Sequence, residues 1–348
     1  MRKTIVCAGL ALVPLALSGC SATDPTPAAS PVATASVQAR GETQAVGTAN
    51  ADAADDPAIW RNPSDPAASL IVGTDKKAGL YVYDLSGRQR SCIDAGRVNN
   101  VDLRDMGEAG IIVTASDRSD KANAKIALFR LDPATATLTA IGRVSAGAGE
   151  AYGICLYREG DALSAFNVIK DGTIRQVLLN LGGTPGGTIV RTMKLGTQSE
   201  GCATDERTHR LYVAEEDVGL WRFDASASGS PDPIRMAAAD GKHIVADTEG
   251  VTIAAEGAGN GGYLLVSSQG DNAYAVYRLS DDGYVGRFRI AKGSFGATEE
   301  TDGIDAAMGD FADYPGGLFV AQDGHNAPTA QNFKLAAWAD IKKALGLK

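Results

Sequence analysis

Thr248-Glu249-Gly250-Val251 and Thr301-Asp302-Gly303-Ile304 are two copies of one signal, an acidic or amide-bearing cluster that opens a short apolar strand. Four earlier copies are Asp55-Asp56-Pro57-Ala58-Ile59-Trp60, Asn99-Asn100-Val101-Asp102-Leu103, Glu150-Ala151-Tyr152-Gly153-Ile154 and Ser199-Glu200-Gly201-Cys202. With Asn99, Glu150, Glu200, Glu249 and Asp302 as markers, the steps are 51, 50, 49 and 53 residues. A fixed period near fifty marks an array of blades or solenoid turns. Equivalent positions of a radial array meet at one axis, so the spacing predicts a ring of carboxylates.

Each cluster is followed by a second apolar strand, such as Leu70-Ile71-Val72, Leu211-Tyr212-Val213 and Leu318-Phe319-Val320. A third strand alternates apolar and polar residues, as in Leu80-Tyr81-Val82-Tyr83 and Leu220-Trp221-Arg222-Phe223. Alternation of this kind belongs to half-buried strands. The remaining length of each unit accommodates a fourth. The prediction is an all-β, six-bladed β-propeller, with four-stranded antiparallel blades around a central channel over residues 49–348. In a blade the first strand lines the channel and the second runs antiparallel beside it. The opening of the first and the close of the second therefore share one face. The closing groups are Asp75-Lys76-Lys77, Asp117-Arg118, Lys170-Asp171, Glu215-Glu216-Asp217, Gln269-Gly270-Asp271 and Gln322-Asp323, so both sets are expected at one mouth.

The formal net charge of −9 argues against nucleic acid as a partner, because such partners call for a basic stripe. Arg2 and Lys3 precede an apolar stretch from Ile5 to Leu17, too short for a comfortable membrane span. The stretch ends in Leu17-Ser18-Gly19-Cys20, which resembles a bacterial lipoprotein processing site. Residues 1–19 are read as a lipoprotein signal peptide, and Cys20 as the lipidated residue. Residues 20–48, rich in Ala, Ser, Thr and Pro, are read as a flexible tether. The protein is then exported and lipid-anchored to the cell envelope, at the outer membrane where one exists, or else secreted or periplasmic. A monomer is expected. Cys92, Cys155 and Cys202 are read as three small buried thiols, with one disulfide left open as the alternative.

Converging carboxylates repel one another and require either raised pKa values or a bound cation. Oxygen ligands without His or Cys favour a hard cation, and several flexible carboxylates favour Ca²⁺ over Mg²⁺. Lys76, Lys77, Arg118 and Lys170 beside bound metal suit a multiply phosphorylated anion. The mouth is expected to be acidic when empty and anion-binding when loaded. His209, His243 and His325 belong to no phosphatase motif, no Gly-x-Ser-x-Gly elbow is present, and no Cys precedes an Arg at the spacing of a thiol phosphatase. Metal-activated water is the remaining nucleophile.

With these motifs in place, the sequence resembles the calcium-dependent β-propeller phytases of the Bacillus type, also called alkaline 3-phytases. The most specific matches are Asp55-Asp56-Pro57-Ala58-Ile59-Trp60, Asn99-Asn100-Val101-Asp102, Leu211-Tyr212-Val213-Ala214-Glu215-Glu216-Asp217, Asp247-Thr248-Glu249-Gly250 and Thr301-Asp302-Gly303-Ile304-Asp305. The resemblance implies hydrolysis of phytate, myo-inositol hexakisphosphate, with several calcium ions in the mouth. It implies metal ligation by Asp56, Asp102, Tyr152, Glu200, Glu216, Asp247, Glu249, Gln269, Asp302 and Asp305. It implies catalytic roles for Lys76, Arg118, Tyr152, Lys170, Glu200 and Glu216, and substrate contacts from Lys76, Lys77, Arg118, Lys170 and Asp171. Asp171 stands where the family commonly has Glu. Two other readings also fit a propeller with a polar mouth: a lactonase with a single central metal, and a non-catalytic, calcium-dependent binding propeller.

Overall fold

The computed structural model describes residues 31–348, and these form the predicted six-bladed propeller. The expected signal peptide, Cys20 and the first part of the tether lie outside the described residues. Blade 1 runs through Ala54–Trp60, Leu70–Asp75, Gly79–Asp84 and Gln89–Asp94. Blade 2 comprises Val98–Asp105, Ile111–Asp117, Asn123–Asp132 and Thr137–Ala148, and blade 3 comprises Ala151–Glu159, Ala162–Ile169, Thr173–Asn180 and Gly186–Lys194. Blade 4 is built from Ser199–Asp205, Arg210–Glu215, Gly219–Asp224 and Ile234–Ala238. Blade 5 holds Thr248–Ala255, Gly262–Ser268, Ala273–Arg278 and Tyr284–Ala291. Blade 6 holds Ile304–Met308, Gly317–Asp323 and Asn332–Ala337, and after it comes the single α-helix among the described residues, α1 (Trp338–Leu345).

Period-two alternation sends successive residues of each strand into two different cores. In blade 1, Leu70 and Val72 pack with Val113 and Phe129 of blade 2. Ile71, between them, packs with Val320 and Phe333 of blade 6. The same division repeats around the ring, giving one apolar core at each of the six blade interfaces.

Polar stitches join the inner strands. Asp56 Oδ2 accepts the Val101 N–H (3.1 Å), Asp102 Oδ2 accepts Leu156 N–H (2.7 Å), and Asp305 Oδ2 accepts Ile59 N–H (2.8 Å). Each bond crosses from one blade to the next.

The sequence reading of residues 20–48 as tether is shortened by the structure. Ala35–Gln38 adds a fifth, parallel strand to blade 5, and Gly41–Glu42 supplies the missing fourth strand of blade 6. Val37, Thr43 and Val46 are buried, which gives this segment an apolar reason to dock despite its Ala/Ser/Thr character. The join is pinned by Lys334, whose fully buried ammonium meets Glu42 (2.6 Å), Asp323 (3.0 Å), Asn332 (2.9 Å) and Asn326 (3.0 Å).

The expectation of three buried thiols is also corrected. Cys155 and Cys202 form a disulfide with a Cα–Cα distance of 5.7 Å, and Cys92 is an exposed thiol on the outer strand of blade 1. The bonded pair is 47 residues apart, close to one repeat, so both cysteines sit at matching heights on adjacent inner strands.

Removing the Lys334 ammonium leaves the buried Asp323 carboxylate without its cation. Lys334→Ala should therefore lower the unfolding free energy by about 3–5 kcal/mol. Urea denaturation checks this, and a loss below about 1 kcal/mol would show that the join is not electrostatic in origin.

Candidate active site at the channel mouth

The opening of each inner strand is built the same way. The pairs Ala54↔Asp75, Val98↔Asp117, Ala151↔Ile169, Ser199↔Glu215 and Thr248↔Ser268 are equivalent, and a bulge follows each one. A bulge leaves a residue outside the ladder and re-aims its side chain. The bulged positions are Asp55, Asn99, Tyr152, Glu200 and Glu249, and Asp302 holds the matching place in blade 6. Glu150, used as a repeat marker, lies two residues before the true ring member Tyr152. Its carboxylate instead binds Arg118 (2.7 Å) and Lys121 (3.2 Å).

Glycine follows four of these six residues because the blades nearly touch there. A Cβ on Gly153 would strike the carbonyl of Glu200, and one on Gly201 that of Glu249. Gly250 meets the Asp302 carbonyl and Gly303 that of Asp55 in the same way. Gly250 N–H (2.7 Å) and Gly303 N–H (3.0 Å) also donate to those two carbonyls.

A second ring comes from the residues that close the neighbouring strands. The backbone N–H groups of Lys76, Arg118, Lys170, Glu216 and Gln269 donate to Ala53, Arg97, Glu150, Gln198 and Asp247. Matched positions thus carry cations on blades 1–3 and acid or amide on blades 4 and 5. The Arg118 guanidinium and the Lys170 ammonium both lie over the Tyr152 ring, 5.1 and 4.7 Å from its centroid.

The mouth is a cavity of about 680 Å³, lined by Lys76, Tyr152, Glu200, Glu216, Asp247, Glu249, Gln269 and Asp302 among the residues expected from sequence. Ligand oxygens of Glu200, Glu216 and Glu249 lie within 4.8 Å of one another. Glu216 Oε1, Glu249 Oε2 and Asp55 Oδ2 are buried without a hydrogen-bond partner. Glu200 Oε1 accepts from the Asn99 amide (2.7 Å). Orphaned buried carboxylate oxygens, converging with no nitrogen or sulfur ligand nearby, fit a hard divalent cation such as calcium.

The electrostatics agree. Burial pushes Glu200 and Glu249 well above the usual carboxylate range, with Asp55 adding to Glu200 and Glu200 to Glu249. Burial likewise raises Glu216 and Asp247. Asp302 is pushed up to about 8 by burial, against the pull of Lys76. Burial and the surrounding acids hold Tyr152 as a neutral phenol. Burial lowers Lys76, yet Asp55 (2.9 Å), Asp302 (3.0 Å) and Asp52 (2.7 Å) outweigh it and keep the ammonium charged.

Three expected ligands lie elsewhere. Asp56, Asp102 and Asp305 line a separate cavity of about 180 Å³ between the inner strands. Asp102 is neutralised there by Arg104 (2.9 Å), and Asp305 accepts hydrogen bonds from Ile59, Ala306 and Thr252. Lys77 is exposed on the turn after Lys76. Asp171 is exposed and pairs with Lys194 (3.2 Å) rather than lining the mouth. Conversely, Asp55 and Asp52 do line the mouth, and sequence reading gave neither a role. Asp55 was legible as the counterpart of Glu200 in the repeat, but the adjacent Asp56 drew the assignment.

The fold and mouth define a β-propeller whose channel opening gathers buried carboxylates beside a few cationic side chains. A family profile described as phytase matches residues 3–348. A 3-phytase of Bacillus subtilis (strain 168) is 40% identical over 329 residues, covering 89% of this chain and 85% of that protein. Among solved structures, BBS1N in complex with ARL6DN aligns at a TM-score of 0.46 and 10% identity, over 76% of this chain and 74% of that one, a likeness too low to bear on the argument. The chain belongs to the phytase family.

A carboxyl group whose folded pKa exceeds its unfolded value stabilises the fold while protonated, and that stability is lost as pH rises through the folded pKa. Asp302, at about 8, sits in this class together with Glu200 and Glu249. In chelator, these acids should make the melting temperature fall as pH rises from about 4, the unfolded carboxyl value, through about 8. A flat profile would contradict the burial of ionisable acids in the mouth.

Proposed function

We propose that the mouth is the active site at which this phytase releases phosphate from phytate, and that the reaction requires calcium. Three observations support the reading: the orphaned oxygens of Glu216 and Glu249 beside Glu200, the Lys76 ammonium in the mouth with Arg118 and Lys170 stacked on its Tyr152, and membership of the phytase family. The first of these carries most weight, because buried carboxylates with open lone pairs call for a cation that the protein itself does not provide.

Glu200, Glu216 and Glu249 would hold calcium, with Asp55, Asp247, Gln269 and Asp302 around them. When bound, the metal supplies positive charge and Lewis acidity for attack of water on phosphorus. In the hydrolysis, a water oxygen bonds to phosphorus and the phosphorus–oxygen bond to inositol breaks. The departing oxygen keeps the electron pair and takes up a proton.

The chain's own residues position and stabilise. Arg118 and Lys170, stacked on Tyr152, place two cations where phosphoryl oxygens gain charge. The neutral Tyr152 hydroxyl, near Gln198 Nε2 (3.4 Å), remains a hydrogen-bond donor. Lys76 adds a permanent cation next to Asp55 and Asp302. We further infer export and lipid anchoring through Cys20, from Leu17-Ser18-Gly19-Cys20, and a monomeric state.

Phosphate release from phytate should stop in EDTA and return with added Ca²⁺. Release at full rate by stripped protein would overturn the calcium reading. Glu200→Gln should lower kcat/KM by about 100-fold or more, because it removes one charge from the cation cluster. The two rival readings are excluded by the same assay if lactones are not opened and phosphate is released.

Protons leave raised carboxyl groups when a cation binds. Calorimetric titration with Ca²⁺ in two buffers of different ionisation enthalpy should therefore show net proton release at about pH 7, diminishing above about pH 9. Equal heats in both buffers at neutral pH would mean that the acids are already ionised.

A further inference from the structure

Two groups of the mouth, Asp247 and Gln269, come from irregular backbone rather than from strands. Asp247 ends the loop 239–247, and Gln269 begins the short 3₁₀ turn Gln269–Asp271. The two segments are packed together: Gln269 N–H donates to the Asp247 carbonyl (3.0 Å), and Gly270 lies so close to the Ala246 carbonyl that no Cβ would fit.

Behind this junction stands a buried polar column. Arg287, in the fourth strand Tyr284–Ala291 of blade 5, is fully buried and grips both oxygens of Asp271 (2.5 and 2.7 Å). Its other terminal nitrogen donates to the Lys242 carbonyl (2.7 Å). Asp271 Oδ1 accepts from Ser268 Oγ (2.8 Å), and Ser268 Oγ accepts the Val245 N–H (2.8 Å). One guanidinium thus fastens the loop near its start and, through Asp271 and Ser268, again two residues before Asp247. It also fixes the far end of the turn that carries Gln269.

We propose that Arg287 is a positioning residue for the cation site, holding Asp247 and Gln269 at the mouth through the Asp271–Ser268 column. The inference rests on the calcium reading above. The Arg287 side chain is fully buried and does not line the mouth. Its planar fork serves two partners in fixed directions, which a single ammonium does not reproduce. Groups that orient metal ligands from behind characteristically alter metal affinity when they are changed.

The test is calcium binding by chelator-stripped protein, measured calorimetrically, with phosphate release followed in parallel. Arg287→Lys keeps a cation against Asp271 but gives up the second anchor, and Ser268→Ala cuts the column while leaving the ion pair intact. Each should weaken calcium binding about tenfold and raise the calcium concentration for half-maximal activity to match. The kcat at saturating calcium should stay within about twofold of wild type. Arg207→Lys is the control. Arg207 makes a similar bidentate pair with Asp205 and binds the Gly257 carbonyl (3.1 Å), at the opposite end of the inner strand from the mouth. It should lower the melting temperature without moving calcium affinity.

If wild type binds no calcium, the functional reading fails. If wild type binds and Ser268→Ala and Arg287→Lys bind equally well, the positioning role is overturned. An equal loss of affinity in Arg207→Lys would reduce the effect to general destabilisation and overturn it too. Should Arg287→Lys fail to fold, Ser268→Ala decides.

Discussion

The close approach of backbone at Gly153, Gly201, Gly250 and Gly303 governs most of what the molecule does. At each place one blade presses a glycine against the carbonyl of the ring residue in the next blade. The residue whose carbonyl is gripped is Glu200, Glu249, Asp302 or Asp55, and its side chain is free to point at the mouth. Closing the ring and converging the acids are therefore one event. A side chain at any of these glycines would push the blades apart and move a carboxylate with them.

Convergence carries an electrostatic cost, since buried like charges are unfavourable. The protein manages it unevenly. Lys76 settles among Asp52, Asp55 and Asp302, while Arg118 is drawn to Glu150 and Asn99. Glu200, Glu216 and Glu249 receive no protein cation at ion-pair distance among the described residues, and burial holds them above their usual range. The unrelieved part of the mouth lies where blades 4 and 5 meet. The Cys155–Cys202 bridge clamps the inner strands of blades 3 and 4 just beyond Tyr152 and Glu200.

The sequence exposed what is periodic and hid what is not. A fifty-residue step and alternating strands carried the blade count, and strand-end logic carried Lys76, Glu200, Glu216, Glu249 and Gln269 to the mouth. Asp102 and Asp305 look like ring acids in one dimension, yet they lie beyond the bulge, where the side chains face a neighbouring strand rather than the opening. The closing strand Gly41–Glu42 is two residues long and sits in Ala- and Thr-rich sequence, so no local pattern marks it. The disulfide was hidden by distance along the chain, although 47 residues is nearly one repeat.

The join at Lys334 has a temporal side. Its partner Glu42 lies 292 residues earlier, and Thr43, which receives the Phe333 N–H on its hydroxyl oxygen, lies 290 earlier. The segment that completes the ring is thus synthesised some 290 residues before its receptor. Blades 1 to 4 can assemble in order as the chain lengthens, but the final seam must wait until Asn332–Ala337 has been made, and long-range pairing of this kind is slow to form. Until then blades 5 and 6 present open edges, the sort of surface that pairs with other chains. The propeller's period of greatest vulnerability is therefore the interval between the making of Asn332–Ala337 and the docking of Gly41–Glu42, a strand made long before it.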